Sequence, residues 1–167
     1  TATTGNMTDS GALTIAGTSS FTTSANNADI TLNNTNAFTG AVALNTTGST
    51  GHALIDNGTT AFNVAASSVG GNLTLTGGNA SGITDSGTVT VGGNLAATTY
   101  ANNGVINLDT LAVADGMVLE THGSGNATVV NDAGFFFTDL DSEVGGNLSV
   151  TATTGNINDN NSGSVTV

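Results

Sequence analysis

Val69-Gly70-Gly71-Asn72-Leu73 reads VGGNL, and the same five letters return at Val144 to Leu148, 75 positions later. The flanks return with them. ANNADITL from Ala25 answers to ANNGVINL from Ala101 at an offset of 76, and LIDNG from Leu54 answers to VVNDAG from Val129 at an offset of 75. GITDSGTVTV from Gly82 is matched by MTDSGALTI from Met7 and INDNNSGSVTV from Ile157, and TATTGN at Thr1 returns at Thr151. A unit of this kind cannot bury its own apolar face and needs neighbours stacked on either side. The chain therefore reads as one continuous array: a first unit over about residues 1–75, a second over 76–150 and a partial third over 151–167.

On both sides of VGGNL, short segments alternate with period 2 and place paired apolar side chains inward: Leu13 and Ile15, Ile30 and Leu32, Val42 and Leu44, Phe62 and Val64, Leu73 and Leu75, Val89 and Val91. Asn, Gly, Asp and Ser cluster between them and supply the tight corners. Apolar stripes at helical spacing are absent. A hairpin sandwich has no need for residues 75 apart to agree in face and spacing, whereas a parallel β-helix stacks turn on turn. The fold class expected is all-β, a right-handed parallel β-helix, or β-solenoid, of about two 75-residue units plus one extra rung. Four rungs per unit are expected, with Ile30 stacked in the column of Ile106 and Leu73 in that of Leu148. One large side chain is also expected to be kept on equivalent rungs, Tyr100 standing in for Phe21 where the aligned residue is Ala97.

Lys and Arg are absent against 12 carboxylates, a formal net charge of -12. Neutralising phosphate needs the cations this chain lacks, so nucleic acid is excluded as an expected partner. No apolar run approaches the roughly 18 residues of a spanning helix, and no membrane insertion is expected. Polysaccharide cleavage calls for a carboxylate cluster with a cation beside it, which disfavours an enzyme. The chain has no Cys, so neither a disulfide nor a thiolate metal site arises.

ITLNN (Ile30 to Asn34), NAFTGAVALN (Asn36 to Asn45), SSVGGNLTLT (Ser67 to Thr76) and ITDSGTVTVGG (Ile83 to Gly93) resemble the filamentous-haemagglutinin-like repeats of large bacterial surface proteins. The resemblance runs along essentially the whole chain. It implies the right-handed β-helix, an extracellular or cell-surface location of Gram-negative type, and adhesion or matrix building with a host, surface or polysaccharide ligand. The second unit departs from these motifs at LAVADGMVLE (Leu111 to Glu120) and FTDLDSEVGG (Phe137 to Gly146), where acidic residues replace small ones.

No catalytic or cofactor-binding residue is expected. His52 and His122 do not align in the repeat and read as exposed loop residues, and the recurring Asp9, Asp85 and Asp159 read as turn formers. Asp139, Asp141 and Glu143 alternate, so one strand would carry three carboxylates on its outer face, a spacing of oxygen ligands suited to calcium. The function expected is a structural or adhesive repeat module forming a rigid rod or filament. The alternatives are an ice- or surface-binding solenoid, for which T-x-T occurs at Thr74 and Thr88, and a calcium-stabilised matrix protein. The bare apolar strand at Ser164 to Val167 has no Lys or Pro to protect it, and points to a longer covalent array or to end-to-end self-association.

Overall fold

The computed structural model describes residues 1–138, 141–159 and 163–167. Among the described residues there is no helix, and the strands pair in parallel as a β-solenoid of about seven turns. Two broad sheets of ten and nine strands enclose the core, and a two-stranded sheet joins Thr14–Ile15 to Ala37–Phe38 near the N-terminal end. Along the first broad sheet, Met7, Ile30, Ala53, Leu73, Leu95, Met117, Phe137 and Asp159 lie in register, so successive turns take 23, 23, 20, 22, 22, 20 and 22 residues. On the second, Phe62, Ile83, Ile106, Ala127 and Leu148 form the corresponding column.

The expected solenoid is present, but the expected columns are not. Ile30 and Leu73 belong to the first broad sheet, whereas Ile106 and Leu148 belong to the second. Turns of 20 to 23 residues make the 75-residue unit three and a half turns, not four. Each copy is thus rotated half a turn about the axis. Val42–Thr47 on the second sheet becomes Gly116–His122 on the first, and Ala53–Asp56 on the first becomes Ala127–Asn131 on the second. Period-2 alternation survives this rotation, because inward on one sheet and inward on the other are the same environment.

The inward pairs from Ile30 to Val91 are all buried, while Leu13 and Ile15, near the end of the stack, are only partly covered. Burial of each such Leu or Ile stabilises by roughly 1.5–3 kcal/mol. Phe21 and Phe38 meet edge to face with centroids 5.6 Å apart. Tyr100 does not replace Phe21 in the second unit: it is exposed, and Ala97 alone occupies the buried position.

Where the turn shortens to 20 residues, a buried asparagine takes over the bonds of a missing strand. Asn57 Oδ1 accepts from the Phe38 N–H at 2.7 Å, and its Nδ2 donates to the Phe38 carbonyl at 3.1 Å. Half a turn round, Asn131 does the same for Val113 at 2.8 and 3.0 Å. A backbone pair left unmatched in this interior would cost about 1–3 kcal/mol.

Close contact with the preceding turn explains the glycines of VGGNL. Val69 and Leu73 face the core. A Cβ on Gly70 would run into the Gly48 carbonyl of the preceding turn, and one on Gly145 into that of Gly123. The N–H of each glycine is capped by a threonine hydroxyl one turn back, Thr46 Oγ1 at 3.0 Å and Thr121 Oγ1 at 3.1 Å. Gly71 and Gly146 leave room for the acceptor that serves the next residue, which is His52 for Asn72 and Asn126 for Asn147. The two glycines of the motif thus answer to the turn before it and its two apolar residues to the core.

Candidate functional site

One corner of the solenoid carries a chain of side chains running along the axis. The Asp29 N–H donates to Asn6 Oδ1, His52 N–H to Asp29 Oδ1, Asn72 N–H to His52 Nδ1, Asn94 N–H to Asn72 Oδ1, and Gly116 N–H to Asn94 Oδ1, at 2.8 to 3.0 Å. Each side chain accepts from the backbone of the next turn and so stitches turn to turn. His52 is one link in it, with Nδ1 unprotonated as the acceptor, and it does the work of Asn126 in the second unit, whose Oδ1 accepts from the Asn147 N–H at 2.7 Å. The loop reading of His52 holds for its exposure, but the residue is bonded into the stack.

His122 ends the strand Gly116–His122, with Nδ1 2.7 Å from the Thr99 carbonyl, so Nδ1 carries the proton. Its Nε2 lies 3.8 Å from Glu120 Oε1. Glu120 is in register with Glu143 of the next turn, which places two carboxylates side by side on the outer face.

Of the acidic set expected to hold calcium, Asp139 lies outside the described residues. Asp141 and Glu143 are exposed and flank the buried Ser142, so they share the outer face as expected. Asp141 Oδ1 accepts from the Ser164 hydroxyl and N–H, both at 2.8 Å, and these bonds hold its carboxyl below the ordinary 3.8. Among the described residues no three His, Cys, Asp or Glu side chains gather as a metal-holding group.

Asp9 and Asp85 act across turns instead of closing their own. Asp85 accepts from the N–H groups of Asp109 and Thr110 at 3.1 and 2.8 Å, and Asp9 from those of Asn33 and Asn34 at 3.2 and 3.3 Å. Partial burial of Asp9 opposes ionisation, but the hydrogen bonds from the Asn36 and Asn34 side chains and from the Asn34 and Asn33 backbone outweigh it and lower its pKa.

Two features escaped the sequence. Tyr100 lies outward, and its hydroxyl donates to Asp56 Oδ2 at 3.0 Å, a bond that raises the phenol's pKa above the ordinary 10.0. The other is a groove of about 220 Å³ lined by Thr88, Asp109, Thr110, Leu111, Val130, Asp132 and Thr153. It crosses four successive turns, or about 14 Å along the axis. A β-bulge makes it: Leu108 pairs with Val129 and Leu111 with Asn131, so Asp109 and Thr110 together face one residue. The extra residue leaves Asp109 and Thr110 both outward between the inward Leu108 and Leu111, and Asp85 holds the bulge by its two N–H groups. Leu111 is buried and Val130 half-buried, forming the floor, while Asp109 and Asp132 stand exposed at the rim. The only signal in the sequence was the acidic drift of the second unit.

The arrangement binds turn to turn and offers a surface; it brings together no nucleophile, base and oxyanion donors of an acyl- or glycosyl-transfer site among the described residues. None of the curated proteins and none of the solved structures matches the chain. A family of repeats of unknown function matches residues 1–45 and 50–118, more than half of the chain and reaching across both units. A chain organised as stacked copies of one unit, matched over that span, belongs to the family described as Repeats of unknown function (DUF5649).

Proposed function

We propose that this chain is a rod-forming structural and adhesive module of a large secreted or cell-surface bacterial protein of the filamentous-haemagglutinin-like kind. The observation that carries the reading is the axial chain of hydrogen bonds from Asn6 to Gly116, which commits polar side chains to joining turns. A solenoid tied in this way resists bending and stretching along the turns that the chain of bonds joins. Its partners are further turns, in a longer covalent array or end to end with other copies. Leu148, Val150 and Val165, at core positions of the last turns, are only partly covered, and Ile157 is 45 % exposed, so another turn would complete their burial. Calcium at Asp139, Asp141 and Glu143 belongs to the same proposal, as a brace resting on the alternation of the three carboxylates in the sequence.

Small-angle scattering or electron microscopy of chains carrying one, two and three further copies of the 75-residue unit tests the rod. Its length should rise by about 17 Å per unit, from three and a half turns of about 4.8 Å each. A radius that grows without lengthening overturns the reading. Melting in chelator against millimolar calcium tests the brace, where an unchanged midpoint removes it.

A further inference from the structure

The groove beside Asp109 and Asp132 presents a demand that this chain cannot meet from its own residues. Its rim holds two carboxylates, its floor is Leu111 and Val130, and Thr88, Thr110 and Thr153 complete the lining. Neither carboxylate is bonded to another described group, unlike those of Asp9, Asp85 and Asp141, which cap backbone N–H groups. With no Lys or Arg anywhere in the sequence, no such side chain of its own can pair with them. The first unit has nothing similar: Asn33 stands at the position of Asp109 and Gly58 at that of Asp132, half a turn round.

We propose that this groove is a docking site for a Lys or Arg side chain on the surface of a partner protein. The side chain's aliphatic stem lies along Leu111 and Val130 while its cationic head sits at the rim between Asp109 and Asp132, as amphipathic cationic side chains do. The threonine oxygens keep acceptor lone pairs for the remaining N–H groups of the head. A bare divalent ion fits less well, because calcium takes six to eight oxygen ligands and gains nothing from an apolar floor. The partner extends the adhesive role proposed above, yet the binding measurement is independent of whether the rod lengthens.

The test is titration calorimetry of the full chain with a capped Ala-Lys-Ala peptide, and with the uncharged Ala-norleucine-Ala as its match. Two double variants remove the same number of charges: D109N/D132N in the groove, and D29N/D115N elsewhere, where the amide replacing the Asp29 carboxylate keeps an oxygen acceptor for the His52 N–H. The lysine peptide should bind the wild type more tightly than its neutral match, and D109N/D132N should weaken it about tenfold, the worth of two partly exposed charge pairs. D29N/D115N should change it less than about twofold. Equal weakening by both variants would mean that only the diffuse field of a -12 chain attracts the peptide, and overturns the proposal. So does calcium alone raising the melting temperature of the wild type but not of D109N/D132N, since the groove would then be an ion site. Thermal melts of both variants establish that each is folded.

Discussion

The two units of this solenoid are nearly superimposable in what faces the neighbouring turn and quite different in what faces solvent. Thr46 and Thr121 cap equivalent glycines, Ser67 and Ser142 accept from the N–H groups of Leu44 and Leu119 at 3.0 and 3.1 Å, and Asn27 and Asn103 both take the left-handed conformation, at φ 59° and 63°. In acidic residues the two sequences diverge: residues 1–75 carry three, Asp9, Asp29 and Asp56, and residues 76–150 carry eight. A residue that bonds to the next turn has an obligatory partner at a set distance, whereas an outward residue needs only to tolerate water. His52 against Asn126 marks the boundary of that rule, as the chemistry differs and the acceptor stays.

The equivalence of the units is most exposed to test in the core. Leu73→Ala should destabilise by about 2–5 kcal/mol, as for a fully buried leucine. Leu148→Ala should cost clearly less, because Leu148 lies near the end of the stack and is only partly covered. Denaturant midpoints of the two variants check this, and equal losses would show the last turns to be as well packed as the middle.

Next in size are the corner glycines. Gly70→Ala and Gly145→Ala should each cost about 1–3 kcal/mol, the cost of forcing extra volume into a closed contact, here against a backbone carbonyl. If either substitution is tolerated without loss, the close approach of turns at VGGNL is not what the glycines are for.

A smaller effect separates identity from role at the axial chain. His52→Ala should lose about 1 kcal/mol with the acceptor for the Asn72 N–H, and His52→Asn should restore it. Hydrogen exchange at Asn72 reads this bond directly, and rapid exchange in the His52→Asn variant would show that the two side chains are not equivalent.

The smallest effect concerns acid. The depressed carboxyls of Asp9 and Asp141 contribute stability that is complete above their ordinary value of 3.8 and is lost as pH falls through their lower folded values. Asp9 ties the first turn to the second and Asp141 the last turns to each other, so acid should loosen both ends before the middle. Protection factors, which allow for the slower intrinsic exchange in acid, should fall first at Asn33, Asn34 and Ser164 as pH drops below about 3.8, and a uniform fall along the chain would contradict it.

Much of this was legible in the chain. The alternation of Leu73 with Leu75 and of Val89 with Val91 showed which side chains go inward, and Gly and Asn between them marked the corners. The column of Leu73 was misread because identical letters 75 apart suggest a whole number of turns, while the molecule makes three and a half. Tyr100 was misread because volume in an alignment carries no direction. The groove was hidden because a bulge at Asp109 and Thr110 depends on how many residues the next turn offers opposite them.

Local alternation and self-similarity, both properties of the bare chain, were enough to specify a parallel solenoid, its inward residues and its repeated corners. It took the folded molecule to establish which turn lies over which sheet, where asparagines replace a missing strand, and which carboxylates are capped and which are free. The reason is that the bonds between turns join residues about 22 apart in register, and that spacing shifts between 20 and 23 with each corner. Nothing within a single strand encodes the sum of those lengths.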